Sequence, residues 1–413
     1  MKIAVWHNLP SGGGKRALYY HVRGLVERGH IVESWCPPTA DQTYLPLSEL
    51  LTEHIVPFSW ESRSLKQPIF KSIAAYYDVV EKIEAMDRHC QECAEEINRG
   101  GFDLLFAQPC MFFRTTSIGR YLKIPKLIYL HEPYRALYEA QPQLPWLALP
   151  PKKKLWWSPR YLRQFLTNLL ILQGLRIQAR EELLNAKAFD TILVNSFFSR
   201  ESVLRAYGLD AKVCYLGIDS ELFNNQHQQR EDFIVGLGYF SAEKNIGLVI
   251  ESVAKVKEPR PSLVWVGNAG SPEYIEEMKQ LAKSVNVDFN PKLRIDDTEL
   301  VGILNRAMMM IYAPRLEPFG FAPLEANACG LPVIAVAEGG VRETIIDGLN
   351  GLIVENDVKE LARAIDSLRR DKDYAHKLGE NGRKLVTEKW SLKPSIDRLE
   401  RRFKEVIDQF TND

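Results

Sequence analysis

Cysteine is scarce in this chain, with six in 413 residues. That is too few for a disulfide framework at this length. An excess of one charge is also missing. The 53 Lys and Arg balance the 53 Asp and Glu, so the formal net charge is zero. A balanced chain is not a general nucleic-acid binder, and no nucleic-acid partner is expected. No apolar run is long enough to cross a bilayer. The apolar start of the chain breaks at His7-Asn8, which is not a secretory signal pattern. Together these absences set the expectation of a soluble, reducing, cytoplasmic setting. Cys90 and Cys93 have a Cys-x-x-Cys spacing, but they lie in a helical run with no second pair. A plain helix accounts for them; zinc or redox work is the alternative.

A chain of 413 residues, 46% of them hydrophobic, is expected to form two domains with real cores. Short apolar runs alternate with helical patterns, the signature of parallel sheets covered by helices. Expected strands are 3–6, 102–107, 125–130 and 190–194, then 233–238, 262–267, 285–289 and 331–336. The polar run 224–232 lacks apolar periodicity and reads as the linker.

One stretch organises the rest. Ala313-Pro-Arg-Leu-Glu317-Pro-Phe-Gly-Phe-Ala-Pro-Leu-Glu325 places seven residues between two carboxylates. Ile311 and Tyr312 read as the end of a strand, 318–321 as a tight loop and 323–329 as a helix stopped by Gly330. Glu317 then sits at a strand's carboxyl end, where α/β sheets bind ligands. Glu325 lies on the helix. The amides of Gly320, Phe321 and Ala322 are expected to face the same crevice and to attract an anion or a sugar oxygen. The run from Glu317-Pro-Phe-Gly through Leu324-Glu325-Ala to Gly330-Leu-Pro-Val-Ile-Ala resembles the nucleotide-sugar motif of retaining glycosyltransferases of family four. Those enzymes have the GT-B fold.

The resemblance implies an α/β chain of two Rossmann-like, doubly wound domains facing a cleft. The C-terminal helix crosses back onto the N-terminal domain. It sets the domains at 1–223, joined by 396–413, and 224–395. It implies a nucleotide-diphosphate sugar, UDP- or GDP-linked, as co-substrate, with no cofactor. Glu317 then holds the donor sugar or stabilises its oxocarbenium-like transition state, and Glu325 accepts from the ribose hydroxyls. Phe319, Gly320, Phe321, Ala322 and Leu324 line the sugar and ribose. Attack is front-face with retention, the donor phosphate taking the acceptor proton. No Asp-x-Asp pair accompanies the motif, so no metal is expected.

Three other stretches join the resemblance. Gly12-Gly13-Gly14 follows a strand and opens a helix, a weak signal alone because loops are often glycine-rich. In the family that loop lies near the donor phosphate. His131, in His-Glu-Pro133 after the strand 125–130, matches the histidine that contacts the transferred sugar; a structural turn residue is the alternative. Lys244, in Gly238-Tyr-Phe-Ser-Ala-Glu-Lys-Asn245, matches the family's phosphate-binding lysine. The family pairs that lysine with an arginine after the glycine, and here Tyr239 stands there. A hydrogen bond to a charged group is worth about 1.5–3 kcal/mol, so its loss costs roughly tenfold to a hundredfold in rate. Tyr239 donates a weaker bond, or Arg315, Arg294 or Lys15 substitutes, or the enzyme is slow. Base selection falls to the loop 290–293, with Lys292 and Leu293, where Pro291 replaces the family's glycine.

The segment 150–180 is unusual. Lys152, Lys153, Lys154, Arg160 and Arg163 flank Trp156, Trp157, Tyr161, Phe165, Leu166 and Leu169. Basic residues beside Trp and Leu mark a segment lying on anionic lipid. The alternative is a helix covering the N-terminal core with arginines snorkelling along its edge. The reading that results is a glycosyltransferase acting on a lipid-linked or membrane-presented glycan, peripheral on the inner face of the membrane. A nucleotide-sugar epimerase shares the fold, but the Glu317–Glu325 pair argues against it. A non-catalytic nucleotide-sugar binder or membrane scaffold is the alternative that Tyr239 motivates.

Overall fold

The computed structural model describes residues 1–60, 68–138 and 158–412. The chain separates into two compact units. The first holds Met1–Asn195, Ser199–Cys214 and Leu399–Asp413, and the second Ser196–Phe198 and Tyr215–Arg398. The units therefore part at 214/215 and 398/399, beside the expected seams at 223/224 and 395/396.

The first unit is built on seven parallel strands: β1 Lys2–Asn8, β2 Ile31–Cys36, β3 Thr52–Ile55, β4 Leu104–Cys110, β5 Lys126–Tyr129, β6 Thr191–Val194 and β7 Lys212–Val213. Their spatial order is β3-β2-β1-β4-β5-β6-β7. The central strands are apolar without alternation because both their faces are covered. Ile3, Val5, Leu104, Leu105 and Phe106 are all fully buried. The helices are α1 Gly13–Glu27, α2 Pro68–Arg99, α3 Pro159–Ala186 and α4 Phe197–Tyr207. Ser158 caps α3 by accepting from the Tyr161 amide at 3.1 Å, with Pro159 in the first turn. Cys90 and Cys93 are core residues on α2, their thiols pushed up by burial. The plain-helix reading suffices.

The second unit repeats the plan with six parallel strands: β8 Phe233–Leu237, β9 Ser262–Gly267, β10 Phe289–Leu293, β11 Met309–Tyr312, β12 Val333–Val336 and β13 Gly351–Val354. Their order is β10-β9-β8-β11-β12-β13, a doubly wound order in which the winding reverses between β8 and β11. The helices are α5 Ile246–Val253, α6 Pro272–Ser284, α7 Asp297–Arg306, α8 Phe321–Ala328, α9 Val341–Thr344, α10 Val358–Arg370, α11 Lys372–Leu385 and α12 Leu392–Asn412. From Leu399 onward α12 belongs to the first unit. There Phe403 packs edge-on against Phe106, and Glu400 accepts from Arg28 at 2.7 Å and pairs with His30 at 2.8 Å.

Two expectations are corrected. The strand expected at 285–289 is β10, starting at Phe289 and continuing through the supposed loop 290–293. Asn286 takes a left-handed φ of 56° and turns the chain before the strand begins. Pro291 is tolerated because β10 is an edge, where a missing N–H breaks no ladder on the open side. The polar linker is also held fast. The Arg230 guanidinium donates to the carbonyls of Leu304, Asn305, Ala307 and Cys329 at 2.6–3.2 Å.

Candidate active site

The second unit brings Lys244 and Glu317 together at the point where its sheet reverses. β8 leads at its carboxyl end into Gly238 and a 3-10 turn, Ala242–Lys244. β11 leads at its carboxyl end into the loop of Glu317. β8 and β11 are neighbours, so residues far apart in sequence meet above the crevice where such sheets take ligands. Lys244 Nζ lies 2.6 Å from Glu317 Oε2, and both side chains are about one-fifth exposed.

Glycines set this geometry. Gly238 has a φ of 154°, and a side chain there would press on the Lys244 stem. Gly339 and Gly340 lie flush against the main chain of Glu317 and Pro318, where any Cβ would collide. The Gly340 amide donates to the Glu317 carbonyl at 2.8 Å. The backbone of the Glu317 loop is therefore pinned while its carboxylate stays at the surface of the crevice.

α8 begins at Phe321, two residues earlier than expected, with Gly320 as its cap at φ 86°. Gly320 donates no side-chain cap, so the helix N-terminus presents amides rather than a covering side chain. Glu325 sits on this helix and is 5% exposed. Phe319 and Leu324 are buried, Phe319 against Phe321 and Trp390. Those two can therefore meet a ligand only through the main chain. Ala322 is 8% exposed and equally confined. These apolar side chains pack α8 against its surroundings.

Tyr239 is exposed at the rim of a shallow recess with Phe240, Ser241, Gly270 and Tyr274. Arg315 and Arg294 are exposed on the same unit. Lys292 lies on β10 and pairs with Glu299 at 3.0 Å, beside exposed Leu293.

In the first unit, α1 follows the Gly12 turn, whose φ is 136°. Gly13 and Gly14 form its first turn, so their amides lie at the helix N-terminus. Gly14 leaves room for the His131 ring, which would stand 3.7 Å from a Cβ there. His131 follows β5, stacks obliquely on Tyr129 with centroids 5.1 Å apart, and accepts Ser199 Oγ at its carbonyl. Its Nε2 is shielded from solvent and has no hydrogen-bond partner. Burial and then the Arg114 charge push this imidazole down to about 4. It is therefore neutral near pH 7.

Lys15, offered from the sequence as a substitute phosphate cation, is fully buried in the first unit. Burial lowers its pKa, and Glu53, Cys36 and Asp41 draw on its charge. Among the described residues, His7, Cys36 and Glu53 bring metal-ligating atoms within 4.8 Å of one another. A divalent ion fits poorly there. The Lys15 ammonium already balances Glu53, and burial pushes the Cys36 thiol up to about 12, so no thiolate is at hand. An Asp-x-Asp run does occur, Asp371-Lys372-Asp373, but Asp371 caps α11 by accepting from the Tyr374 amide.

Sequence reasoning missed Asn356 and gave Glu338 no role. Asn356 donates to Glu338 and accepts from Asn245, beside Lys244. No motif marks such a long-range chain of side chains.

Residues 218–385 match the family model described as "Glycosyl transferases group 1". The match agrees with the resemblance to family four and includes Lys244, Glu317 and Glu325. The chain is 28% identical over 229 residues to the alpha-1,3/1,6-mannosyltransferase of Dictyostelium discoideum, covering 52% of each chain. It is 25% identical over 246 residues to the alpha-maltose-1-phosphate synthase of Mycolicibacterium smegmatis, covering 53% of this chain and 64% of that one. The chain spans about half the length of the curated relatives it matches first. Among solved structures it resembles the sucrose-phosphate synthase of Thermosynechococcus elongatus, with a TM-score of 0.71, 18% identity and 99% of both chains covered. A glycosyltransferase of Rickettsia africae gives a TM-score of 0.69 at 17% identity, with 98% of both covered. Those likenesses establish the fold: GT-B, with two parallel-sheet, Rossmann-like domains.

Proposed function

We propose that this chain is a glycosyltransferase that moves a hexosyl group from a UDP- or GDP-sugar to a hydroxyl of a lipid-linked or membrane-presented glycan, with retention. The observation that carries the reading is the Lys244–Glu317 pair at the reversal point of the second sheet, inside the family-matched span. Departure of a nucleoside diphosphate builds charge on its phosphates, and preorganised cations and amides stabilise that charge. Lys244 and the N-terminal amides of α8 take that role. Glu317 faces the sugar carbon as it becomes oxocarbenium-like, and Glu325 accepts from the ribose. In this reading Gly13 and Gly14 take donor phosphate, and neutral His131 contacts the sugar. The leaving phosphate takes the acceptor proton, so no metal or cofactor is needed. A relative named for mannosyl transfer supports a hexosyl donor.

The membrane part of the proposal rests on α3. Leu162, Phe165, Leu166 and Leu169 are spaced along one helical face and are all exposed, beside exposed Arg160 and Arg163. Lys152, Lys153, Lys154, Trp156 and Trp157 lie outside the described residues. Among the described residues, no helix is long and apolar enough to cross a membrane. Contact from the cytoplasmic side as a peripheral protein fits this surface.

A thermal-shift panel of nucleoside diphosphates and nucleotide sugars tests the reading. A ligand at a hundred times its dissociation constant adds about 2.7 kcal/mol of stability. Response to one base names the donor. Silence across the panel moves the reading to the non-catalytic binder that Tyr239 suggests. Incubation with donor alone separates transferase from epimerase, because only an epimerase converts the donor sugar without an acceptor.

A further inference from the structure

Lys244 and Glu317 are each followed or preceded by a residue in an unusual backbone state. Asn245 has a φ of 57° and Leu316 a φ of 49°. Left-handed backbone at non-glycine residues persists only where the surroundings hold it. One chain of side chains reaches both. Asn245 Nδ2 donates to Asn356 Oδ1 at 3.1 Å. Asn356 Nδ2 donates to Glu338 Oε1 at 2.7 Å. Glu338 Oε2 accepts from the Leu316 amide at 3.3 Å. The Lys244–Glu317 bond closes the ring at 2.6 Å. A further rung, the Arg315 amide to the Glu243 carbonyl at 2.9 Å, ties the same two loops directly.

The elements at the corners explain why the ring is needed. Asn356 follows β13 and Glu338 follows β12, so both stand at the carboxyl ends of ordered strands. Lys244 and Glu317 stand on turns. The ring therefore ties two turns to the rigid sheet. Each contact has a direction: the carboxylate at 338 only accepts, and the amide at 356 donates to it while accepting from Asn245.

We propose that Glu338 and Asn356 are positioning residues for the donor site, holding Lys244 and Glu317 at the spacing that binds a nucleoside diphosphate. This rests on the donor-site reading of Lys244 given above. Neither residue need touch the ligand.

The test uses calorimetric binding of UDP and GDP, with uridine and guanosine as controls, on the full chain. Glu338→Gln places a donor opposite the Asn356 donor. Asn356→Asp places an acceptor opposite the Glu338 carboxylate. Each breaks the ring without changing side-chain size. Each variant is expected to weaken diphosphate binding about tenfold, the range for a lost hydrogen bond to a charged group. Nucleoside binding should stay unchanged. The double variant reverses the polarity: the new amide at 338 can donate to the new carboxylate at 356, which still accepts from Asn245, and the amide oxygen at 338 still accepts from Leu316. Diphosphate affinity should then return to within about threefold of wild type, a non-additivity expected only for residues in one network. Wild-type affinity in either single variant, equal losses for nucleoside and diphosphate, or a double variant no better than its parents would overturn the proposal. Lys244→Ala run alongside separates the two failures. If it leaves diphosphate binding intact, the donor-site reading is what falls; if it weakens binding while the ring variants do not, this inference alone falls.

Discussion

Lys244 Nζ and Glu317 Oε2 form an ion pair of 2.6 Å at the reversal point of the second sheet. The two groups assigned to opposite ends of the donor's scissile bond are thus bonded to each other. A diphosphate must compete with Glu317 for the ammonium. Substitutions at the two positions should accordingly move binding in opposite directions.

Lys244→Ala should weaken UDP or GDP by roughly tenfold to a hundredfold, the worth of a lost charge-assisted bond. Nucleoside binding should hardly change. Isothermal titration of both ligand classes checks this, and equal losses would move Lys244 away from the phosphates.

Glu317→Gln should tighten diphosphate binding by roughly threefold to fivefold, since a partly exposed ion pair is worth up to about 1 kcal/mol. Transfer should nevertheless collapse, because the group facing the reacting carbon is gone. A variant that binds more weakly and still turns over would reverse both assignments.

Acid should destabilise the first unit. His131 titrates near 4 when folded and near 6.5 in the reference state. The unfolded chain binds the extra proton first, so stability falls as pH drops from about 6.5 towards 4. A shift of this size is worth ~3 kcal/mol. His7 and His89, lowered chiefly by burial, act with the same sign. Urea unfolding at pH 7 and pH 4.5 measures the loss, and His131→Asn should remove part of the slope. An unchanged slope in that variant would mean His131 titrates normally. Between pH 7 and 8 this residue should leave transfer untouched, because it is neutral throughout.

Vesicles of anionic lipid should sediment the protein at low salt, with each basic residue near the surface contributing about 1 kcal/mol. Neutralising Lys152, Lys153 and Lys154, or replacing Phe165 and Leu166 by serine, should each release it. Binding that survives both changes would assign the exposed α3 face to something other than lipid.

The strand–loop–helix passage around Glu317 was legible because it is local. Glu317, the Gly320 cap and Glu325 sit within one strand–loop–helix passage, and the spacing carries the geometry. The parallel sheets were legible because strands covered on both faces lose their polar alternation, as Ile3 to Trp6 and Ser262 to Gly267 show. β10 was misplaced because the alternation in Val285 to Phe289 imitates a strand and hides Asn286, a residue type suited to the left-handed backbone that breaks the run here. The burial of Phe319 and Leu324 was not legible, because a motif does not say which of its side chains the helix turns inward. The Glu338–Asn356 link joins residues eighteen positions apart through a polar contact with no periodicity, so nothing in the chain announces it.

All six cysteines are buried, five in the first unit and only Cys329 in the second. A buried thiol is inert until its surroundings open. The chain thus carries a built-in clock for each half: alkylation of Cys329 times the opening of the second unit, and alkylation of the other five times that of the first. Mass spectrometry of a denaturant series, read peptide by peptide, would show which half lets go first, without any label having to be engineered in.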